Sequence, residues 1–254
     1  MWLDEHSRYP VISGHRGETE QGCALPHTME SLAHLMRCAR GQAVHAHGAP
    51  AKYLYCLASG MARKYKVKAD GRRQIVDFLL PGDFFGLTTR PRHAFTVEAI
   101  TEGTMVACYA RRRLDLLANA DIEVGQFIRE IACETLSRLQ KRLLVLGHAT
   151  ARRKVGAFVA ELERRLSVEP SQPFTLMMSR YDIADYLILS VETVSRALTD
   201  LKQSGAISLN GQHRVTIIDR TMLEDDEEDE TDSFRRDARW RNGPRLVELP
   251  PNRS

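Results

Sequence analysis

The sequence of 254 residues lacks the features of membrane-spanning and secreted chains. It contains no apolar run of about 18 residues, so we expect no membrane span. Its start, Met1-Trp2-Leu3-Asp4-Glu5-His6, has no basic region followed by an apolar core, which argues against a signal peptide. The five cysteines are odd in number and widely scattered, as in a reduced chain. We therefore predict a cytoplasmic protein.

The sequence also lacks the motifs of common catalytic and metal sites. We find no nucleophile elbow, phosphate-binding loop or pair of metal ligands, and we predict a protein that is not an enzyme and has no metal or cofactor. Cys23 and Cys38 are too few for an iron–sulfur cluster, which needs four thiolates or close equivalents. His45 and His47 have no further ligands nearby, whereas zinc usually takes four, so we expect solvated histidines. A heme ligand stays an open alternative, because one His can hold iron.

Length and charge indicate two domains and an acidic end. A chain of 254 residues suits two domains. Residues 222–254 carry ten acidic and six basic side chains, which leaves a charge of +7 on the rest of a chain whose net charge is +3. A basic body suits DNA binding. We expect residues 1–27 to form a flexible leader and residues 222–254 a disordered tail, since neither composition can bury a core.

The stretch that begins at Ser190 has the pattern of a recognition helix. Ser190 is a suitable N-cap, because its hydroxyl can accept from the free amides of the first turn. Three apolar residues recur at the spacing of one helix face: Val194, Leu198 and Leu201. Three polar residues fall on the other side of the first two turns: Glu192, Ser195 and Arg196. Arg can chelate guanine O6 and N7, Glu can accept from a cytosine amine, and Ser adapts to either partner.

The flanking segments complete a winged helix-turn-helix pattern. Residues 181–187 are predicted to form a short first helix opened by Ser179 and joined to the recognition helix by a tight turn. Downstream, residues 207–209 and 214–218 flank Asn210-Gly211, which supplies the positive φ angles of a hairpin turn. The alternative is a plain buried helix pair.

Many short strands are predicted in the front half of the chain, between Tyr53 and Tyr109. They alternate with turns at Asp70-Gly71 and Pro81-Gly82-Asp83. This regular spacing indicates an antiparallel barrel or jelly roll. Residues 28–40 precede these strands and have apolar residues spaced for one face of a short helix.

Residues 114–148 are predicted to form one long helix with an apolar seam for a partner helix. Six residues make this seam, in steps of three or four: Ile128, Ala132, Leu136, Leu139, Leu143 and Leu146. The alternative is that the seam packs against the β-domain of its own chain. A second helix is expected over residues 151–166.

These motifs resemble the CRP/FNR family of bacterial transcription regulators. The stretch YDIADYLILSVETVSRALTDLKQSGAISLNGQHRVTI is similar to the DNA-binding domain of the family. Within it, Glu192-Thr193-Val194-Ser195-Arg196 matches the E-x-x-S-R core of the FNR and FixK branch, whereas the CRP branch usually has Arg-Glu-Thr-Val here. The segment Leu79-Leu80-Pro81-Gly82-Asp83-Phe84-Phe85-Gly86 resembles the β-roll sensor domain. The resemblance covers residues 28–218.

The resemblance implies an α+β chain with a jelly-roll-like β-roll sensor domain over 28–113, a dimerisation helix over 114–148 and a winged helix-turn-helix domain over 149–221. It implies a homodimeric, FixK-like activator that binds the inverted repeat TTGAT-N4-ATCAA in double-stranded DNA and recruits RNA polymerase. Such relatives govern oxygen limitation and nitrogen fixation. Two-fold protein symmetry suits an inverted repeat. The residues we expect to contact DNA are Glu192, Ser195, Arg196, Val191, Thr193, Ser179, Arg180 and His213.

The sensor segment departs from the cyclic-nucleotide-binding relatives at two positions. In those relatives a Glu after Phe-Gly holds the ribose, and a later Arg pairs with the cyclic phosphate. Leu87 and His93 stand at these places here. A desolvated phosphate needs a fixed cation, so we expect no cyclic nucleotide, although Arg90 or Arg92 is an open substitute. Two alternatives remain: a ligand- or heme-dependent regulator of the same family, and a cyclic-nucleotide-binding signalling module without DNA binding.

Overall fold

The computed structural model describes residues 26–166, 171–211 and 213–224. The helices in this part are α1 His27–Glu30, α2 Arg111–Ala120, α3 Ile122–His148, α4 Ala151–Leu166, α5 Arg180–Leu187, α6 Val191–Gln203 and α7 Thr221–Glu224. The strands are β1 Ala33–Cys38, β2 Ala43–His45, β3 Tyr53–Ser59, β4 Ala62–Val67, β5 Arg73–Leu79, β6 Phe84–Phe85, β7 Thr96–Ala99, β8 Thr104–Ala110, β9 Phe174–Thr175, β10 Ile207–Asn210 and β11 Arg214–Ile217. Residues 1–25 of the predicted leader and residues 225–254 of the predicted tail lie outside the described residues. The prediction of a flexible leader is wrong for His27, which begins α1. The prediction of a disordered tail is wrong for residues 222–224, which belong to α7, because Leu223 packs in the apolar core and is only 3% exposed.

The front half is a β-roll made of two antiparallel sheets. One sheet has the strand order β1-β8-β3-β6, and the other has the order β2-β7-β4-β5. The apolar faces of both sheets meet in a core that contains Leu57, Phe85, Val97 and Val106. The antiparallel jelly-roll-like fold predicted from the strand spacing is confirmed.

The helix predicted over residues 28–40 is wrong. Only His27–Glu30 is helical, and Ala33–Cys38 is a strand that pairs antiparallel with β8 from Ala33↔Tyr109 to Cys38↔Thr104. The apolar spacing suited a helix, but the hydrogen bonds of a neighbouring strand distant in sequence stabilise the extended form. Tertiary pairing thus overrides the local pattern.

The single helix predicted over residues 114–148 is also wrong, because two helices occupy this region. Asp121 separates α2 from α3 with extended backbone angles, φ −122° and ψ 113°. Its carboxylate accepts from the Glu123 amide at 3.0 Å, which caps the start of α3. All six residues of the predicted seam still lie on α3.

The rear part is a winged helix-turn-helix domain, as predicted. α4, α5 and α6 pack together, and β9, β10 and β11 form a sheet with the order β10-β11-β9. One apolar cluster joins this domain to the β-roll, since Phe78 of β5 contacts Phe158 of α4 and Tyr186 of α5 at ring-centroid distances of 5.9 and 5.0 Å. In the described part of the chain, none of the helices combines the length and apolarity that crossing a membrane requires.

Candidate nucleic-acid interface

The helix-turn-helix begins with a double hydrogen-bonded cap on α5. The Ser179 hydroxyl accepts from the Asp182 amide at 3.1 Å, and the Asp182 carboxylate accepts from the Ser179 amide at 3.3 Å. This capping box satisfies amides that the first turn leaves free. After α5 the chain turns at Ile188, whose φ is +57°. A β-branched residue rarely adopts such an angle. The neighbours of Ile188 hold the turn, because Leu187 is buried and the Leu189 amide donates to the Ala184 carbonyl at 3.0 Å.

The recognition helix α6 forms where the sequence predicted it. The Ser190 hydroxyl accepts from the Thr193 amide at 3.1 Å, which makes Ser190 the N-cap. Gly205 follows the helix with φ +80°, a left-handed conformation that glycine adopts without steric cost. The buried stripe consists of Val194, Ala197, Leu198 and Leu201.

The opposite face of α6 exposes three predicted base-contacting residues, Glu192, Ser195 and Arg196. The pKa of Glu192 is lowered by a hydrogen bond from its own backbone amide, by a hydrogen bond from the Ser190 hydroxyl and by the positive charge of Arg196. Glu192 is therefore ionised at neutral pH and acts only as an acceptor. The Ser195 hydroxyl donates to the Val191 carbonyl at 2.9 Å, so its lone pairs face outward as acceptors. The face thus combines one cationic donor with two acceptors.

The remaining predicted DNA contacts lie at the start of α5, in the first turn of α6 and in the wing. Val191 and Thr193 are half-buried in the first turn of α6, and Ser179 is exposed at the start of α5. Arg180 is half-buried, and burial lowers the pKa of its guanidinium. His213 is exposed in the wing, where its carbonyl accepts from the Leu176 amide at 2.7 Å.

The predicted seam divides into a packed part and an open part. Its two ends pack within the chain, because Ile128 contacts the β-roll core and Leu146 contacts the core shared with the rear domain. The middle of the seam is open, with Leu136 57%, Leu139 42% and Leu143 68% exposed. Exposed leucines in successive turns of one helix are typical of a surface that a partner covers.

The expectation of solvated histidines is wrong for His45, although His47 is exposed. β2 ends at His45, whose ring stacks on His93 inside the β-roll with centroids 3.7 Å apart and on Tyr55 at 5.3 Å. His93 is only 4% exposed. Burial, with smaller effects from the charges of His93 and Lys64, lowers the pKa of His45 to about 3.

The residues around this stack do not fit a cyclic nucleotide. Burial and the charge of Arg111 lower the pKa of His93, so the group at the phosphate-clamping position is neutral at pH 7. Leu87, at the ribose-binding position, is 49% exposed and has no side-chain acceptor. Arg92, a candidate substitute, donates to the Gly48 carbonyl at 2.8 Å. Among the described residues, no three His, Cys, Asp or Glu side chains are grouped as a metal site requires.

Comparison with known proteins decides the family. Residues 137–226 match the Crp-like helix-turn-helix domain, and residues 35–120 match the cyclic nucleotide-binding domain. The nitrogen fixation regulation protein FixK of Azorhizobium caulinodans is 40% identical over 188 residues, which cover 73% of this chain and 75% of that protein. The chain belongs to the CRP/FNR family of transcription regulators.

Other relatives place this CRP/FNR chain near the FNR branch. The transcriptional activator protein FnrL of Cereibacter sphaeroides is 32% identical over 211 residues, which cover 81% of this chain and 85% of that protein. The structure of FixK2 from Bradyrhizobium japonicum superposes with a TM-score of 0.71 at 36% identity, covering 76% of this chain and 96% of that structure. The resemblance inferred from E-x-x-S-R is thereby confirmed.

Sequence reasoning missed a polar contact between the two domains of this CRP/FNR protein. Asp182 at the start of α5 pairs with Arg63 of β4 at 2.7 Å and with Arg73 of β5 at 3.1 Å. The partners are 119 and 109 residues apart in sequence. An aspartate three residues after an N-cap serine already has a local role in the capping box, so its pattern carries no sign of a second, distant partner.

Proposed function

We propose that this protein is a homodimeric, FixK-like transcription activator that binds TTGAT-N4-ATCAA and recruits RNA polymerase. The observation that carries the proposal is the exposed face of α6, where Arg196 stands beside the ionised Glu192 and the outward-facing Ser195. A planar guanidinium can make two parallel bonds to guanine O6 and N7, and a carboxylate accepts from the cytosine amine. The single G·C pair of TTGAT, which is part of a flexible TG step, suits this arrangement.

The other predicted contacts position this face on the duplex. Ser179 and Arg180 at the start of α5, and His213 in the wing, are proposed to contact backbone phosphates, which fix the orientation of a helix-turn-helix on the duplex. Val191 and Thr193 lie in the first turn of α6, whose N-terminal end enters the major groove in such complexes. These residues fix the register of the protein on the duplex, whereas Arg196 and Glu192 supply the preference for particular base pairs.

The open middle of the α3 seam supports the proposal of a dimer. Leu136, Leu139 and Leu143 of one protomer are proposed to pack against the same residues of a second copy, since a two-fold interface uses the same patch twice. The two recognition helices then face successive half-sites of an inverted repeat.

The stacked pair of His45 and His93 supports activity without a cyclic nucleotide. Side chains of the chain itself fill the interior of the roll here, and neither imidazole is a cation at pH 7. A ligand that binds two conformations equally well, or binds neither, does not shift the equilibrium between them. We therefore infer that cyclic nucleotide leaves DNA binding unchanged. The heme-dependent alternative predicts strong absorbance of the purified protein in the Soret region, which the proposal does not.

The test is base discrimination by Arg196→Ala. Loss of the two bonds to guanine should weaken binding by about 1–3 kcal/mol per half-site and remove the preference for guanine at the contacted position. Fluorescence anisotropy with the TTGAT-N4-ATCAA duplex and its single-base variants measures both quantities. Lys202→Ala is the matched control, because it removes a cation from the last turn of the same helix. An Arg196→Ala protein that keeps the guanine preference contradicts the assignment.

A further inference from the structure

The first helix of the helix-turn-helix is tied to the β-roll of the same chain by a buried ionic contact. We call Arg63, Arg73 and Asp182 the interdomain clamp. Asp182 is 5% exposed, and its Oδ1 accepts from Arg63 Nη1 at 2.7 Å and from Arg73 Nη2 at 3.1 Å. A buried carboxylate is costly unless it is paired and hydrogen-bonded, so the two arginines make this position of α5 favourable.

The clamp is rigid on the β-roll side. Arg63 donates from Nη2 to Glu98 Oε1 of β7 at 2.6 Å, while the Tyr65 hydroxyl donates to Glu98 Oε2 at 2.9 Å. Arg63 therefore bridges two carboxylates, one in each domain, with its guanidinium plane fixed by both. A planar guanidinium held in this way resists rotation, and a change in the angle of α5 would break a charged hydrogen bond.

Two further contacts hold the other end of α5. Gln74 Nε2 of β5 donates to the Asp185 carbonyl at 2.6 Å. Arg142 of α3 donates to the Tyr186 carbonyl at 2.8 Å, and its guanidinium lies 3.8 Å from the centre of the Tyr186 ring. Both ends of an eight-residue helix are thus fixed, one to the β-roll and one to the β-roll and α3.

The orientation of α5 on the β-roll also determines that of the recognition helix α6, because the two helices pack together. Ile183, Ala184 and Leu187 of α5 pack in one core with Val194 and Leu198 of α6. In a dimer formed through α3, the orientation of α5 on its own β-roll sets the distance between the two copies of α6. Half-site spacing on the DNA is the direct geometric consequence of that distance.

We propose that Arg63 is a positioning residue for DNA binding: without touching DNA, it fixes the separation of the two recognition helices and so selects the half-site spacing. The proposal rests on the proposed function, since it requires binding to an inverted repeat as a dimer. It assigns to the β-roll a role in specificity that depends on a salt bridge rather than on a bound ligand.

The experiment compares Arg63→Met with wild-type protein on three duplexes: the TTGAT-N4-ATCAA operator and versions with a spacer one base pair shorter or longer. We expect the wild type to bind the operator more tightly than the two duplexes with altered spacers. In Arg63→Met the ratio of these affinities should fall by roughly tenfold or more, the effect typical of losing a hydrogen bond to a charged group. The matched control is Arg72→Met on the same hairpin, whose arginine is 82% exposed and pairs with Asp70 rather than with α5.

The ratio of the affinities for the operator and for the altered-spacer duplexes distinguishes a change in the position of the recognition helices from a loss of protein stability. A lower folded fraction weakens binding to all three duplexes equally and leaves the ratio unchanged, whereas a loose clamp changes the ratio. Preference for guanine at the Arg196 contact should stay as in the wild type, and Arg63→Lys should restore part of the spacing preference. If Arg63→Met fails to fold, Arg73→Met provides the same test, because Arg73 also pairs with Asp182 but its side chain is 32% exposed.

Two outcomes overturn the proposal in distinguishable ways. A folded Arg63→Met or Arg73→Met protein with the wild-type spacing ratio shows that the clamp does not set the separation of the recognition helices, and leaves the proposed function standing. A wild-type protein that binds none of the three duplexes contradicts the proposed function itself, and the inference fails with it.

Discussion

The open seam on α3 makes Leu143 the most informative single position for assembly. In the single chain Leu143 is 68% exposed, so its substitution removes few contacts within the protomer. If the seam is the dimer interface, the same substitution removes two buried side chains from each dimer, one per copy. A single change therefore affects association strongly and protomer folding weakly.

The size of the effect follows from the area that a partner would cover. Fully burying a leucine contributes about 1.5–3 kcal/mol, so covering the 68% of Leu143 that is exposed contributes about 1–2 kcal/mol per copy. Leu143→Ala should then weaken the dimer by about 2–4 kcal/mol, which is roughly 30- to 1,000-fold in the dissociation constant. Leu143→Glu should weaken it further, because a carboxylate would enter the interface without a partner.

Sedimentation velocity over a concentration series measures this dissociation constant, and operator titration measures its effect on DNA binding. Leu116→Glu on α2 is the matched control, since Leu116 is 72% exposed but lies outside the seam. We expect Leu116→Glu to remain dimeric and Leu143→Glu to be a folded monomer with lost operator binding. A Leu143→Glu protein that dimerises like the wild type would refute the seam as the interface.

Two further predictions concern stability. Ser190→Ala should destabilise the protein by about 1 kcal/mol in urea denaturation through loss of the N-cap of α6, and more than Thr199→Ala, a change elsewhere on the same helix; equal effects would contradict the capping role. Burial first, and then the charges of His93 and Lys64, lower the pKa of His45 from 6.5 to about 3. The unfolded chain therefore binds the extra proton between those values, and stability should fall as the pH drops from 6.5 towards about 3. His45→Phe should lessen this fall, and an unchanged pH dependence would contradict the buried stack.

Local patterns were sufficient for the DNA-binding half of the molecule. The N-cap at Ser190 and the apolar stripe on α6 each depend on residues a few positions apart, so the sequence expresses them directly. The hairpin also forms where it was predicted, but Asn210 ends β10 instead of lying in the turn, and of the predicted pair only Gly211 has a positive φ, +67°. The exposed face with Glu192 and Arg196 follows from the same periodicity. Which of these side chains contact DNA stays a prediction.

Features that depend on distant contacts were not predictable in the same way. The helical spacing in residues 28–40 was overridden by pairing of β1 with β8, and the burial of His45 depends on His93, which lies on another segment of the roll. The pairing of Arg63 with Asp182 joins residues 119 apart, and no local periodicity reports it. Each of these errors occurs where tertiary structure, rather than local propensity, determines the outcome.

The proposed function requires that the protein recognises the inverted repeat without a bound nucleotide. Selection of bound duplexes from a random pool tests this, with wild-type protein purified in air and with or without added cyclic AMP. We expect enrichment of TTGAT-N4-ATCAA to the same extent in both conditions. Enrichment of an unrelated sequence, or enrichment only when the nucleotide is present, would contradict it.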